Sequence, residues 1–148
     1  MVVEAANQSS LVVGLVLIGP VTDPRGRTWP RMLWQWMRTA VHERPGEVPV
    51  LAPQYRHTGI RTMIRGMDAM RWYQTGCGLR QVHVPVVVVR GGQDRIAGHD
   101  WSLSLAEIVG GRLQTADGSA HMVPLTDPEA VVTAVREVVA AAAASSER

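Results

Sequence analysis

Apolar residues along this chain fall into three patterns. The strongest is the run VPVVVV at Val84–Val89, four consecutive valines closed by Arg90, Gly91 and Gly92 and followed by Asp94. It is too short for an ordinary helix and apolar on both faces, the signature of a strand buried inside a parallel sheet. Leu11–Gly19 (LVVGLVLIG) repeats the pattern and ends at Gly19-Pro20, a strand-terminating pair. Arg112–Thr115 (RLQT) predicts a shorter third strand. Helical spacing separates them. Met1–Asn7 reads as the last turns of a helix, and Val21–Arg27 reads as a loop. Thr28 caps a helix with Pro30 in its first turn and Trp29, Leu33, Trp36, Met37 and Ala40 on one face. Three prolines in Pro45–Pro53 break the pattern. A second amphipathic helix spans about Thr58–Tyr73, with Ile60, Met63, Ile64 and Met67 inward, and Gly76–Gly78 ends it.

Asp100 then caps a helix over Trp101–Val109, whose inner face is Trp101, Leu105, Ile108 and Val109, and Gly110-Gly111 stops it. Asp127-Pro128 opens a last helix with Val131, Val132, Val135, Val138 and Val139 as its buried stripe, and Ala140–Ser146 fades into a tail. Strands alternating with helices predict an α/β protein: a three-stranded parallel sheet with right-handed crossovers and flanking helices. Residues 21–78 form a helical insertion rich in Met and Trp. There is no internal repeat and no second domain boundary, so residues 1–148 read as one domain.

Composition narrows the function classes. With 46% hydrophobic and 19% charged residues, the 148-residue chain can bury a core and is not disordered. The net charge is only +2, and all fifteen cations are arginines, scattered rather than clustered, so no nucleic-acid partner is expected. Arg56, Arg61, Arg65 and Arg71 read as a solvated helix face, with Arg65 pairing to Asp68. The longest apolar run, Leu11–Ile18, is too short to span a bilayer and no basic segment precedes it, so neither membrane nor signal peptide is expected. Cys77 has no partner for an internal disulfide, which fits a reducing compartment and places the protein in the cytoplasm. His42, His57, His83 and His99 lack metal-ligand spacing; no metal and no cofactor is expected. The Met and Trp of the insertion suit either a core or the lining of an apolar substrate pocket.

The candidate chemistry lies at the strand ends. Loops following parallel strands open on one sheet edge, where α/β proteins bind ligands. Asp94 follows the second strand and His121 lies in the loop Ala116–Thr126 after the third. A carboxylate accepting the Nδ1–H of a histidine fixes its tautomer and stabilises the imidazolium formed when Nε2 takes a proton. The competing reading makes Asp94 a turn carboxylate and His121 a backbone-bonded loop residue.

From Leu11 onward the chain resembles the C-terminal part of an α/β-hydrolase-fold enzyme. GLVLIGP (Gly14–Pro20), an inserted segment, VPVVVVRGGQD (Val84–Asp94) and DGSAHMVPLTDPEAV (Asp117–Val131) carry the resemblance in the family's order. It implies a partial α/β-hydrolase fold with a helical lid at about 21–78, Asp94 as the triad acid and His121 as the general base. It also implies a small-molecule substrate for the completed enzyme, with cleavage of an ester, amide or activated carbon–carbon bond. No G-x-S-x-G elbow occurs, and Met1 would fall inside the helix that follows it. The nucleophile and oxyanion donors are therefore absent, and Ser9 and Ser10 lie at the far end of the sheet. The chain is expected to be a truncated hydrolase, inactive alone, with an apolar edge at residues 11–19 that pairs in a homodimer. The alternative is a non-catalytic binding or assembly module built on the same fold.

Overall fold

The computed structural model describes residues 2–21 and 23–146. Three parallel strands, β1 (Leu15–Ile18), β2 (Val86–Gly91) and β3 (Arg112–Ala116), form one sheet in the order β1-β2-β3. Leu15 pairs with Val86 and Ile18 with Val89, while Val87 pairs with Arg112 and Gly91 with Ala116. The valine run occupies the central strand, and its alternation divides the core. Val86 and Val88 face one layer with Val3, Leu79 and Leu105; Val87 and Val89 face the other with Val123, Ala134 and Val138. The first layer is supplied by α1 (Val2–Gln8), a short helix Thr75–Leu79 and the helix His99–Ile108. The second is supplied by a turn of helix at Val123–Thr126 and by the long helix Pro128–Ser146. This is an α/β sheet covered on both faces.

Between β1 and β2 the chain leaves these layers. It forms α2 (Trp29–Ala40), α3 (Val48–Thr58) and α4 (Ile60–Trp72) before returning as α5 (Thr75–Leu79); the later helices are α6 (His99–Ile108), α7 (Val123–Thr126) and α8 (Pro128–Ser146). No side chain of α3 or α4 is fully buried, and α2 buries only Thr39. These helices border an open cavity instead of packing into a core. Among the described residues no helix is long and apolar enough to cross a membrane.

Several expectations need correction. The first strand begins at Leu15, not Leu11, because Ser9–Val12 is a turn: the Val12 amide bonds the Ser9 carbonyl and the Leu11 amide reaches Ser9 Oγ. The proline-rich stretch is helical. A 3-10 turn at Pro45–Glu47 leads into α3, where Pro49 sits in the first turn and needs no donor; Pro53 is tolerated inside. Gly59, at φ 73°, separates α3 from α4, a left-handed conformation that suits glycine. Gly76–Gly78 lies within α5 rather than ending α4. Thr28 takes the cap position without a capping hydrogen bond, and Gly98, not Asp100, caps α6. Asp127 does cap α8, accepting from the Ala130 amide at 3.1 Å. That helix runs on through Ser146, so the alanine-rich end is no tail. Its buried face is Ala130, Val131, Ala134 and Val138, whereas Val132, Val135 and Val139 are exposed. Asp68 pairs with Arg71 at 2.7 Å, not with Arg65. Two expectations, Met1 in the first helix and Thr22 in the following loop, lie outside the described residues.

Candidate functional site

All three strands run the same way, so the segments after Ile18, Gly91 and Ala116 meet at one edge of the sheet. Backbone hydrogen bonds tie them together: Gly19 N–H to the Val89 carbonyl, Gly92 N–H to Ala116 and Gln93 N–H to Ser119. The contact leaves no room for side chains. A Cβ on Gly91 would stand 1.8 Å from the Ala120 carbonyl oxygen, so the glycine after the valine run is a condition of the approach. Asp94 and His121 are thereby brought into contact.

Asp94 Oδ2 lies 2.8 Å from His121 Nδ1. Its other oxygen, Oδ1, accepts from the amides of Ile96 at 2.8 Å and Ala97 at 3.1 Å, and the residue is 1% exposed. Burial alone would raise the Asp94 pKa, but the His121 hydrogen bond and charge, helped by the two amides, overcome it and hold the carboxyl below its ordinary value. For His121, burial works downward, and the hydrogen bond and charge of Asp94, with the charge of Glu43, outweigh it and raise the imidazole pKa. The carboxylate thus commits Nδ1 to donating and stabilises the protonated ring, leaving Nε2 as the nitrogen able to exchange a proton.

Arg90 braces this turn from inside. Its guanidinium donates to the carbonyls of Ala97 and Asp94, both at 3.0 Å, and it is 5% exposed. Burial pulls its pKa down against the Asp94 charge. An arginine at the end of a four-valine run is anomalous on sequence alone, and that anomaly was the signal for it.

His121 opens onto a cavity of about 730 Å³ bordered by α2, α3 and α4 and open to solvent. Met32, Met63, Met67, Met70, Trp36 and Leu51 supply much of its wall. Polar groups reach it only at places, among them Arg27, Glu43 and Glu47. Size and lining match those of a site for a small apolar ligand with a few polar fixing points. Of the stripes expected to face a core, Met63 and Met67 are half-buried on this cavity wall and Trp36 and Ala40 border it while staying exposed; Leu33, Met37, Ile60 and Ile64 are exposed and do not line it.

No family model and no curated protein matches the chain. Solved structures do. MenH from S. aureus, an α/β-hydrolase, superposes over 95% of this chain and 64% of its own with a TM-score of 0.64 at 13% identity. The chain has a partial α/β-hydrolase fold. Rv0554 from Mycobacterium tuberculosis agrees, over 94% of this chain and 61% of its own, with a TM-score of 0.56 at 16% identity. The chain therefore spans less than two thirds of the length of either.

Within this partial hydrolase fold the two strand-end residues singled out from sequence are hydrogen-bonded partners. Ser9 sits in the turn before β1, at the opposite sheet edge, where its hydroxyl accepts from Leu11. Ser119, in the His121 loop, is 1% exposed and its Oγ accepts from Thr126 Oγ1 at 2.8 Å, a structural contact. Cys77 is exposed on α5 and its thiol bonds Gln74 Oε1. Sequence reasoning overlooked Thr39 on α2 and Glu43 in the turn after it, which join this segment to the site. Thr39 Oγ1 accepts from the Arg95 amide at 3.0 Å, and Glu43 Oε1 accepts from the His121 amide at 2.8 Å. Helical spacing gave no signal for Glu43, which lies in the turn beyond α2.

Proposed function

We propose that the chain is the acid–base portion of an α/β-fold hydrolase that cleaves an ester, amide or activated carbon–carbon bond in a small molecule. The observation that carries this reading is the 2.8 Å contact between His121 Nδ1 and a buried Asp94 carboxylate already anchored by two amides. His121 Nε2 takes the proton of a nucleophile as it attacks the substrate, and later returns it to the leaving group. Asp94 holds the ring in the required tautomer and stabilises the imidazolium between those events. The helices of residues 29–72 act as the lid, and the methionine-lined cavity holds the substrate's apolar part. The nucleophile and oxyanion donors come from outside these 148 residues, so the chain alone does not turn over by this route, and it works in the cytoplasm.

The test pairs intact-mass measurement of the product in its native source with hydrolysis of p-nitrophenyl esters. The reading expects a native species heavier than 16.1 kDa that hydrolyses and loses activity on His121→Ala, and an isolated chain that does not. A His121-dependent turnover by the isolated chain would place the nucleophile inside it and sink the assignment. A native mass equal to that of these residues, without hydrolysis, would leave the binding-module alternative in possession.

A further inference from the structure

Two hydrogen bonds join the lidding segment to the acid–base site, one from the last turn of α2 and one from the turn that follows it. Thr39, 2% exposed, takes the Arg95 amide beside Asp94. Four residues on, Glu43 takes the His121 amide at 2.8 Å, and the Met122 amide also faces its carboxyl. Glu43 in turn meets Glu47 from the following 3-10 turn, whose Oε1 accepts from the Arg44 amide at 2.9 Å. Glu47 is 6% exposed. The second oxygens of both residues, Glu43 Oε2 and Glu47 Oε2, are buried without a hydrogen-bond partner among the described residues. Two carboxylates cannot donate to each other, and buried polar atoms are seldom left unpaired. One proton held between the two carboxyls would give them a mutual hydrogen bond and leave a single negative charge on the pair.

We propose that Glu43 is a positioning residue for His121, and that Glu47 locks it in place by sharing a proton with it, so that the end of α2 and the histidine loop are latched together. The proposal rests on His121 as the base only for its consequence in catalysis; the latch itself is a matter of geometry. His121 and Met122 face the pair from the loop after β3, Arg44 borders it on the turn, and Asp23, Arg27 and Arg71 stand elsewhere on the same cavity wall. Asp94 lies behind the imidazole and sets the larger part of its charge preference. Glu43 adds to it, since the pair's negative charge also favours the protonated ring. Because burial and Glu47 raise the Glu43 pKa above its ordinary 4.5, the shared proton is held above that pH, and its loss puts two like charges in contact.

The experiment follows the ring nitrogens and backbone amide of His121 by NMR in the 148-residue chain, from about pH 4 to 9. In the wild type the ring shifts should show, besides their own titration, a second inflection from the carboxyl pair. Glu47→Gln removes the shared proton while its amide can still donate to Glu43, so the second inflection vanishes and the His121 amide stays protected. Glu43→Gln keeps an acceptor for the His121 amide and leaves the single negative charge on Glu47, so protection stays and the second inflection vanishes. Glu43→Ala removes the acceptor, and amide exchange at His121 should rise roughly tenfold or more. Unchanged exchange in Glu43→Ala, or wild-type and Glu47→Gln titrations that superimpose, would overturn the latch. Should Glu43→Ala not fold, the two near-isosteric glutamine variants decide alone. Asp94→Asn is the separate control: an imidazole indifferent to it defeats the acid–base reading and leaves the Glu43 result standing.

Discussion

Replacing Asp94 with Asn changes one oxygen in a buried contact and little else. Asn keeps the Oδ1 that accepts from Ile96 and Ala97. In place of Oδ2 it presents an NH₂ to His121 Nδ1, so the ring must accept there, carry its proton on Nε2, and resist protonation. The pH dependence follows from the two shifts. The His121 pKa is raised above 6.5, so its contribution to stability is complete below that value and is lost as pH rises through the raised pKa. The Asp94 pKa is lowered below 3.8, so its contribution is complete above that value and is lost as pH falls through the lowered pKa. The charged pair is therefore fully formed between those limits.

Removing one partner of a buried ion pair costs about 3–5 kcal/mol when the other charge is stranded. Here the imidazole can shed its proton, so the loss should approach that of one charge-assisted hydrogen bond, about 1.5–3 kcal/mol. For a chain of this size that is roughly a 5–10 °C fall in Tm. Urea unfolding of Asp94→Asn should show this deficit at about pH 5.5, and the deficit should shrink as pH rises through the raised His121 pKa and the wild-type ring becomes neutral. NMR should show the Nδ1–H tautomer of the neutral ring replaced by Nε2–H. Equal stability of the two proteins at the lower pH, with the tautomer unchanged, would refute the dyad as a working electrostatic unit.

Other substitutions test other links. Gly91→Ala drives a Cβ to within 1.8 Å of the Ala120 carbonyl and should cost at least about 3 kcal/mol in urea unfolding, or abolish folding; a well-folded variant would show the His121 loop to be more yielding than drawn. Val16 and Ile18 turn their amides away from β2, because alternate residues Leu15 and Gly19 bond it, and Leu11 and Val13 beside them are exposed. Sedimentation should therefore find the chain associating through this edge, and Val13→Lys should shift it toward monomer; a wild-type monomer would count against the edge as an interface. Met63→Trp should fill part of the cavity and abolish binding of an apolar fluorescent probe with folding intact, whereas unaltered binding would place the apolar site elsewhere.

The parts of the molecule legible in the sequence are those fixed by a period of two and by chain order. Val86–Val89 could be read as a central strand because both of its faces are buried, and its place in the sheet put Asp94 at the edge to which His121 also returns. The helical segment was less legible for a physical reason. Helical periodicity reports which face is apolar, but not whether that face meets a core, a cavity or water. Met63 and Met67 are half-buried on the cavity wall, while Leu33, Met37, Ile60 and Ile64, drawn from the same stripes, are exposed and do not line it. Proline misled in a similar way, since Pro49 sits where a helix has no use for an amide hydrogen.

The exposed apolar positions form a pattern of their own. Leu11 and Val13 precede the edge strand β1, and Val132, Val135 and Val139 lie on α8, the helix whose Val138 would touch a side chain added at Gly14. Contiguous apolar surface of this kind marks a place where another surface packs. The buried valines, the braced Arg90 and the bonded dyad lie apart from these exposed positions. The Asp94–His121 contact does not depend on that surface, because its geometry is set by the turns after β2 and β3 and by the segment that ends α2.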